Sequence, residues 1–116
     1  MRVAHDRALL AESEAARGRL LALKPRWLRD RRPGEVLLVK GPFKTRSGGN
    51  EWMWVEVTRW EGSRITGLLA NDPFEVPGLR AGATVHVEES KVFDYLLRRA
   101  DGGQEGNTTS KLLERR

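Results

Sequence analysis

Apolar residues in the first quarter of the chain recur at spacings of three, four and seven, which place them on one face of an α-helix. They are Leu9, Ala16, Leu20, Leu23 and Trp27. This period predicts an amphipathic helix over about residues 4–23. Pro25 disfavours a helical conformation at the residue before it, so we expect the helix to end near Lys24.

After a polar turn at residues 29–34, the pattern changes to one that favours β-strands. Residues 35–40, EVLLVK, are too short and too rich in β-branched side chains for a helix, and they predict the first strand. A loop with a basic tip is expected over residues 41–50. Residues 51–60 alternate as in a strand, and the apolar side chains on both faces at its start predict deep burial there.

The middle of the chain predicts a hairpin followed by a corner. A Glu-Gly pair at residues 61–62 is expected to form the hairpin turn, with residues 63–69 as the returning strand. Asn-Asp-Pro at residues 71–73 predicts a corner, because a residue before proline avoids the helical conformation. A short extended piece at residues 74–76 and a glycine turn then lead to a strand at residues 84–88.

The C-terminal part predicts a second, shorter helix. Ser90 can cap a helix that runs to about residue 97, and residues 106–116 suit either a closing strand or a frayed helix. Together the elements predict an α+β fold, a small, strongly bent antiparallel sheet or partly open barrel of four or five strands with a helix before and after it. Within this single domain, residues 1–34 form the helix and basic turn, and residues 35–116 form the β-rich body.

Composition narrows the class of protein. The chain has 116 residues, a formal charge of +5 and no cysteine. A disulfide framework and a thiolate metal site are therefore excluded, and no apolar run approaches the ~20 residues that span a bilayer. Charged residues interrupt the apolar stretch that a signal peptide would need at the N-terminus. We expect a cytoplasmic protein that does not associate with membranes.

The positive charge is concentrated at the start of the chain. Residues 1–34 carry nine Lys or Arg against four acids, whereas residues 35–98 carry eight against nine. Cations are favoured at the end of a helix by its dipole, so a solvated helix end explains the cluster. The alternative is weak, non-specific contact with nucleic-acid phosphates. The residues for that alternative are Lys24, Arg26, Arg29, Arg31, Arg32, Lys44 and Arg46.

Residues for catalysis are few. Acid-base or nucleophilic catalysis needs a base within reach of a nucleophile, or two carboxyl groups with different pKa values. The two histidines, His5 and His86, are far apart in sequence, and no cysteine accompanies them, which argues against a transition-metal site. We therefore expect neither a metal nor a cofactor, and a protein that is not an enzyme.

Polar residues at the predicted corner have two interpretations. Their side chains can simply bond the backbone of the turn. Alternatively they form the rim of a pocket, opposite the Asp94 carboxylate and a Gly turn at residues 106–109 whose N–H groups could hold an anion. The binding candidates on that rim are Asn71, Asp72, Asp94, Asn107 and Thr109.

Tryptophan is frequent for so short a chain, with four residues. Trp54, between Met53 and Val55, is expected in the core. Trp52 and Trp60, at the two ends of one strand face, are candidates for exposed anchors of a contact surface, because tryptophan is enriched at such surfaces.

A set of short motifs occurs in a fixed order along the chain. They are VKGPF at residues 39–43, E-x-M-W-V at 51–55, I-T-G-x-L-A-N-D-P at 65–73, G-L-x-x-G at 78–82, Asp-Tyr at 94–95 and G-N-x-T at 106–109. This set resembles the YegJ-like bacterial family, a domain of unknown function, over nearly the whole chain. It is more distantly similar to immunity-protein domains found beside bacterial toxins. The resemblance implies a compact cytoplasmic bacterial domain with no reaction to transfer.

The sequence therefore predicts a non-enzymatic interaction domain, immunity-like, that binds a protein partner through one sheet face and the loops at its rim. Two alternatives stay open. One is a basic module associated with nucleic acid, and the other is a small-ligand or hydrolytic site at the Asn-Asp-Pro corner.

Overall fold

A computed structural model describes residues 6–115, and its first element is the long helix α1 (Arg7–Arg29). Asp6 caps this helix, since its carboxylate accepts a hydrogen bond from the Leu9 N–H at 2.9 Å. The helix itself confirms the prediction, but the predicted end near Lys24 is wrong, because α1 continues through Pro25. Inside a helix, proline removes one N–H from the ladder and its ring crowds the carbonyl four residues earlier, at a cost of about 3 kcal/mol. Burial of Trp27, which is 2% exposed, holds the last turn in place.

Six antiparallel strands and a short helix follow α1. They are β1 (Val36–Lys44), β2 (Asn50–Glu61), β3 (Arg64–Leu69), β4 (Thr84–Glu88), β5 (Asp94–Arg98), β6 (Gln104–Gly106) and α2 (Thr108–Glu114). In space the strands form one sheet in the order β4-β3-β2-β1-β5-β6. The α+β class is confirmed, with one strand more than expected and a sheet that does not close into a barrel.

The connection between β4 and β5 shows that the sheet is strongly bent. In a flat sheet the end of β4 and the start of β5 would lie about 30 Å apart, from four strand spacings and about seven residues of offset. Only residues 89–93 join them, which reach about 20 Å even when fully extended. The sheet therefore curls. A Cβ built on Gly41 of β1 would lie 2.7 Å from Val87 Cγ1 of β4, although two strands separate β1 from β4 in the sheet.

The concave face of this sheet and the inner face of α1 enclose the core. Alternate residues of the strands point inward, and α1 contributes Ala16, Leu20 and Trp27 with Leu23 at the margin. The strand residues of the core are Leu37, Val39, Met53, Val55, Val57, Trp60, Ile65, Leu69, Val85, Val87, Tyr95 and Leu97. The helix face that the sequence predicted is thus the face that packs on the sheet.

A β-bulge in β2 changes which side chains face the core. The register of β2 against β3 shifts between Val57 and Arg59. Before the bulge the odd-numbered residues point inward, and after it Trp60 does, at 4% exposure. Uninterrupted alternation places Trp60 on the same face as Trp52, so the position predicted for Trp60 is wrong.

Strand β1 is longer than its sequence suggests. It passes through Gly41 and Pro42 to Lys44, so the predicted loop at residues 41–50 shrinks to residues 45–49. The Lys40 carbonyl accepts the Phe93 N–H on the β5 side, and strand alternation points the Pro42 nitrogen to that same side. Pairing with β5 ends at Lys40, so the missing N–H of proline removes no ladder bond.

The predicted helix from Ser90 to about residue 97 is wrong. A single 3₁₀ turn, Glu89–Lys91, is followed by β5, and residues 92–97 are all buried. A short segment that is buried on both faces has the same pattern in a helix and in a central strand. Here the segment is a strand because it pairs with β1 and β6. Of the two alternatives for residues 106–116, the helix is found. The segment at residues 74–76 is not a strand, and the hairpin turn lies at residues 62–63.

Candidate functional site

The convex face of the sheet carries a second group of apolar side chains, which we name the outer aromatic surface. Strand alternation places its members opposite the core residues, and β1, β2, β3 and β5 each contribute. They are Leu38, Trp52, Trp54, Leu68, Phe93 and Leu96, with Lys40 among them. Leu38, Phe93 and Leu96 are buried. Leu68 is 39% exposed, and Trp52 and Trp54 are half-buried. Apolar area on this face is therefore accessible to a partner.

Lys40 lies at the centre of the outer aromatic surface. Its Nζ is 5.8 Å from the ring centroid of Trp54 and 5.8 Å from that of Phe93, and the Phe93 ring lies 5.1 Å from the Trp52 ring. Ring faces at this distance attract a cation. Burial lowers the pKa of the Lys40 ammonium, and the charge of Asp94 opposes that shift. Lys40 takes part in none of the salt bridges found within residues 6–115.

Asp94 is fully buried and serves as the cap of α2. Its carboxylate accepts hydrogen bonds from the backbone N–H and the hydroxyl of Thr109 and from the Tyr95 N–H. Asn107, in the left-handed conformation at φ 57°, makes no capping bond with its side chain. Three of the predicted rim residues, Asp94, Asn107 and Thr109, are thus together. The Asp94 carboxylate is already engaged by these three hydrogen bonds.

The Asn-Asp-Pro corner does not share a site with Asp94. The N–H of Ala70, beside the corner, donates to the Trp54 carbonyl of β2. Trp54 is paired with Lys40 of β1, and Lys40 is paired with Asp94 of β5. Three strand spacings therefore separate the two, about 14 Å along the sheet. Asn71 and Asp72 are both exposed, and the Asp72 carboxylate accepts the Ala81 N–H at 2.9 Å. This bond closes the turn, as the simpler interpretation of the sequence has it.

We expect Asp72→Ala to lower the free energy of unfolding by at most about 1 kcal/mol, because one exposed hydrogen bond to the turn is lost. Asp72→Asn keeps an acceptor oxygen and should cost less. Urea denaturation of both variants measures this. A loss of several kcal/mol in Asp72→Asn would contradict a role limited to closing the turn.

Trp60 has a structural role. Its indole N–H donates to Glu89 at 3.0 Å, and the Lys24 ammonium lies 5.0 Å from its ring centroid. The exposed anchor predicted at this position is wrong, and so is the core position predicted for Trp54, which lies half-buried on the outer aromatic surface. His86 is exposed and bonded to the Thr66 hydroxyl, whereas His5 lies outside the described residues.

The seven basic candidates do not form one surface. Lys24 is bonded to the Gly62 carbonyl and to Glu89. Arg26 forms a bidentate ion pair with Glu35, with N···O distances of 2.6 and 2.8 Å. This hydrogen-bonded pair raises the pKa of Arg26 and lowers the pKa of Glu35. Arg29, Arg31 and Arg32 are exposed before β1. Lys44 and Arg46 lie at the far end of β1, about 26 Å away at 3.3 Å per residue.

The loop at residues 70–83 presents one more apolar side chain, Phe74, which is 94% exposed. The Glu51 carboxylate accepts the N–H groups of Phe74 and Glu75, and the Arg46 N–H donates to the Glu75 carbonyl. The resulting open cleft of about 420 Å³ between the loop and the β1–β2 hairpin is lined by Phe74, Arg46 and Pro77.

Sequence reasoning missed Lys40, Phe93 and Phe74. Lys40 ends the apolar run of residues 36–39, but lysine is mostly exposed in proteins, so the pattern contained no signal of its partial burial. Within residues 6–115 no three His, Cys, Asp or Glu side chains are grouped to hold a metal ion. None of the helices in that range has the length and apolarity to cross a membrane.

Comparison with known proteins finds one family. The model of the family described as "Uncharacterized protein conserved in bacteria (DUF2314)" matches residues 28–116, which include the whole sheet and α2 but almost none of α1. No curated protein and no solved structure shows significant similarity to the chain.

Proposed function

The chain belongs to the bacterial DUF2314 family, and we propose that it is a non-enzymatic interaction domain that binds a protein partner through the outer aromatic surface. The observation that carries the proposal is the accessible apolar area on the convex face, where Trp52, Trp54 and Leu68 lie on adjacent strands. Tryptophan at the centre of a contact surface supplies much of its binding energy.

The partner that fits this surface presents apolar side chains around a carboxylate. Lys40 supports this chemistry, because its ammonium is half-buried between two rings and forms no salt bridge within the described chain. A partner carboxylate would replace the water that Lys40 loses on binding. Charged pairs that become desolvated in an interface add specificity as well as affinity.

Asp94, beside this surface, and Tyr95, on the core side of β5, support a binding role over a catalytic one, because the fold already engages both. Asp94 holds α2 through three hydrogen bonds. The Tyr95 hydroxyl donates to Glu105 at 2.7 Å, and burial raises the pKa of that hydroxyl well above its usual range. A general base or nucleophile must be free to reach a substrate, and neither Asp94 nor Tyr95 is.

The partner is first captured from a bacterial host lysate, identified by cross-linking and purified. We then expect Trp54→Ala to weaken binding of the purified partner about 30-fold, or roughly 2 kcal/mol. Lys40→Met should weaken it by a similar factor, whereas Lys40→Arg should retain most of the affinity. Isothermal titration calorimetry measures each dissociation constant.

Leu28→Ala is the matched control, because Leu28 is 54% exposed on α1, away from the convex face. It should change the dissociation constant less than threefold. Equal losses in Leu28→Ala and Trp54→Ala, or unchanged binding by Trp54→Ala, would place the interface elsewhere.

An immunity-like role in the bacterial cytoplasm is the more specific form of this proposal, in which the partner is a toxin and binding blocks it. The resemblance of the motif set to YegJ-like and immunity-protein domains supports it. Co-expression with the toxin tests the specific form: the native protein should restore growth of the host cells, and Trp54→Ala should not.

A further inference from the structure

We propose a second binding site, for the phosphate backbone of nucleic acid, on an arginine surface that the fold assembles at the end of the molecule where β1 begins. Its members come from the end of α1, the turn after it and the β5–β6 hairpin. They are Arg29, Arg31, Arg32, Arg98 and Arg99.

Close packing of two turns creates this surface. A Cβ built on Gly34 would lie 2.7 Å from the Cβ of Ala100, so the turn before β1 lies directly against the β5–β6 hairpin. Gly34 also has a φ of 76°, which an L side chain rarely adopts. In sequence the two arginine groups are separated by more than 60 residues. This contact and the pairing of Val36 with Arg98 bring them to one end of the molecule.

The end of α1 is held rigidly in this position. Trp27 is buried in the core, and the Arg31 guanidinium lies 4.3 Å from its ring centroid. The Arg26–Glu35 pair joins the last turn of α1 to the residue before β1. Arginines presented from a fixed backbone lose less entropy on binding than arginines on a mobile arm.

Nearby carboxylates neutralise only part of the surface. Glu35 is paired with Arg26, and Glu105 bonds the Tyr95 hydroxyl and Arg99. Asp101 accepts the Gly103 N–H, and the exposed Asp30 lies between Arg29 and Arg31 in the chain. Arg29, Arg32 and Arg98 belong to none of the salt bridges found within residues 6–115. They are the arginines to which we assign contacts with the phosphates.

The shape of the surface favours a polynucleotide strand over a lipid headgroup layer. A cleft of about 270 Å³ lies between the two turns and is lined by Arg32, Pro33, Glu35, Arg99, Ala100 and Asp101. Its two carboxylates are already bonded, Glu35 to Arg26 and Asp101 to the Gly103 N–H. A narrow phosphodiester chain can enter such a cleft, whereas a flat membrane surface cannot. Guanidinium groups bind phosphate oxygens through two parallel hydrogen bonds.

Fluorescence anisotropy of the full chain with a labelled 20-nucleotide single strand tests the proposal. Non-specific binding with Kd on the order of 10 µM is expected at 50 mM salt. Three phosphate contacts predict a slope of about −2 in log K against log salt, so affinity should fall roughly 20-fold by 200 mM. The triple variant Arg29→Gln, Arg32→Gln, Arg98→Gln should bind at least tenfold more weakly and lose most of the salt slope.

A charge-matched control separates this site from a general effect of net charge. The triple variant Lys44→Gln, Arg46→Gln, Arg80→Gln removes the same charge at the opposite end of β1, from residues that are all exposed; it should change the affinity less than threefold. The single variants Arg32→Gln and Arg98→Gln provide the same comparison if the triple variant melts early. Equal losses in both triple variants, no binding at 50 mM salt, or tighter binding to anionic phospholipid vesicles than to the strand would overturn the proposal.

Discussion

Asp94→Ala is expected to lower the free energy of unfolding by about 3 kcal/mol or more, because it leaves several buried donors without an acceptor. The donors are the N–H and hydroxyl of Thr109 and the Tyr95 N–H, and Asp94 itself has no exposed area. Loss of the carboxylate also uncaps α2, whose own Asn107 makes no capping bond. Urea denaturation followed by circular dichroism measures the change.

Asp94→Asn refines this prediction. It retains one acceptor oxygen but turns an NH₂ group toward a donor, so we expect an intermediate loss of about 2 kcal/mol. Asp72→Ala, which removes an exposed carboxylate, serves as the control. Asp94→Ala with stability within 1 kcal/mol of the native protein, an amount typical of a surface change, would show that Asp94 is not needed for the fold. Asp94 would then become a candidate for binding or catalysis again.

Leu20→Ala should destabilise the protein by about 3 kcal/mol, within the range of 2–5 kcal/mol for truncation of a buried leucine. Leu20 has no exposed area and belongs to the core shared by α1 and the sheet. The family match begins at residue 28, so this variant tests whether a helix outside the matched region is part of the cooperative fold.

The neighbouring residue provides a control of identical chemistry. Leu21 is 42% exposed on the opposite side of α1, and Leu21→Ala should cost less than about 1 kcal/mol, since alanine is also the better helix former. Equal, small losses for the two variants would show that α1 does not contribute its inner face to the folded state in solution.

The outer aromatic surface and the arginine surface can be tested separately. Trp54 lies at mid-sheet, whereas Arg29 and Arg32 lie before β1 begins. Trp54→Ala should therefore leave the anisotropy signal with the single strand unchanged, and the arginine triple variant should retain binding of the protein partner. Coupled losses would instead indicate one continuous interface.

Local patterns in the sequence determined the elements that are amphipathic. The helical spacing of Leu9, Ala16 and Leu20 predicted the inner face of α1, because one side of that helix meets the core and the other meets water. Alternation likewise predicted β4, Thr84–Glu88, residue for residue. The class of the fold followed from these periods and from the turns between them.

Part of the candidate site was also accessible from the sequence. Trp52 was predicted as an exposed anchor of a contact surface; it lies half-buried on the outer aromatic surface, and its contact role stays a prediction. Asp94 and Thr109 were both named as candidates for the rim of a pocket, and the structure brings them together to cap α2. Lys40 and Phe93 were missed, because their proximity depends on the pairing of β1 with β5, which are about 50 residues apart in sequence.

Only the tertiary structure decided the features that depend on contacts distant in sequence. Residues 92–97 are buried on both faces and carry only one charged residue, Asp94, so their pattern does not distinguish helix from strand. The hydrogen bonds to β1 and β6 make β5 a strand. The bulge after Val57 reverses the face of Trp60, which strict alternation cannot foresee. The curl that brings Val87 against Gly41, and the contact of Gly34 with Ala100 that assembles the arginine surface, arise from packing between strands and turns that no local pattern encodes.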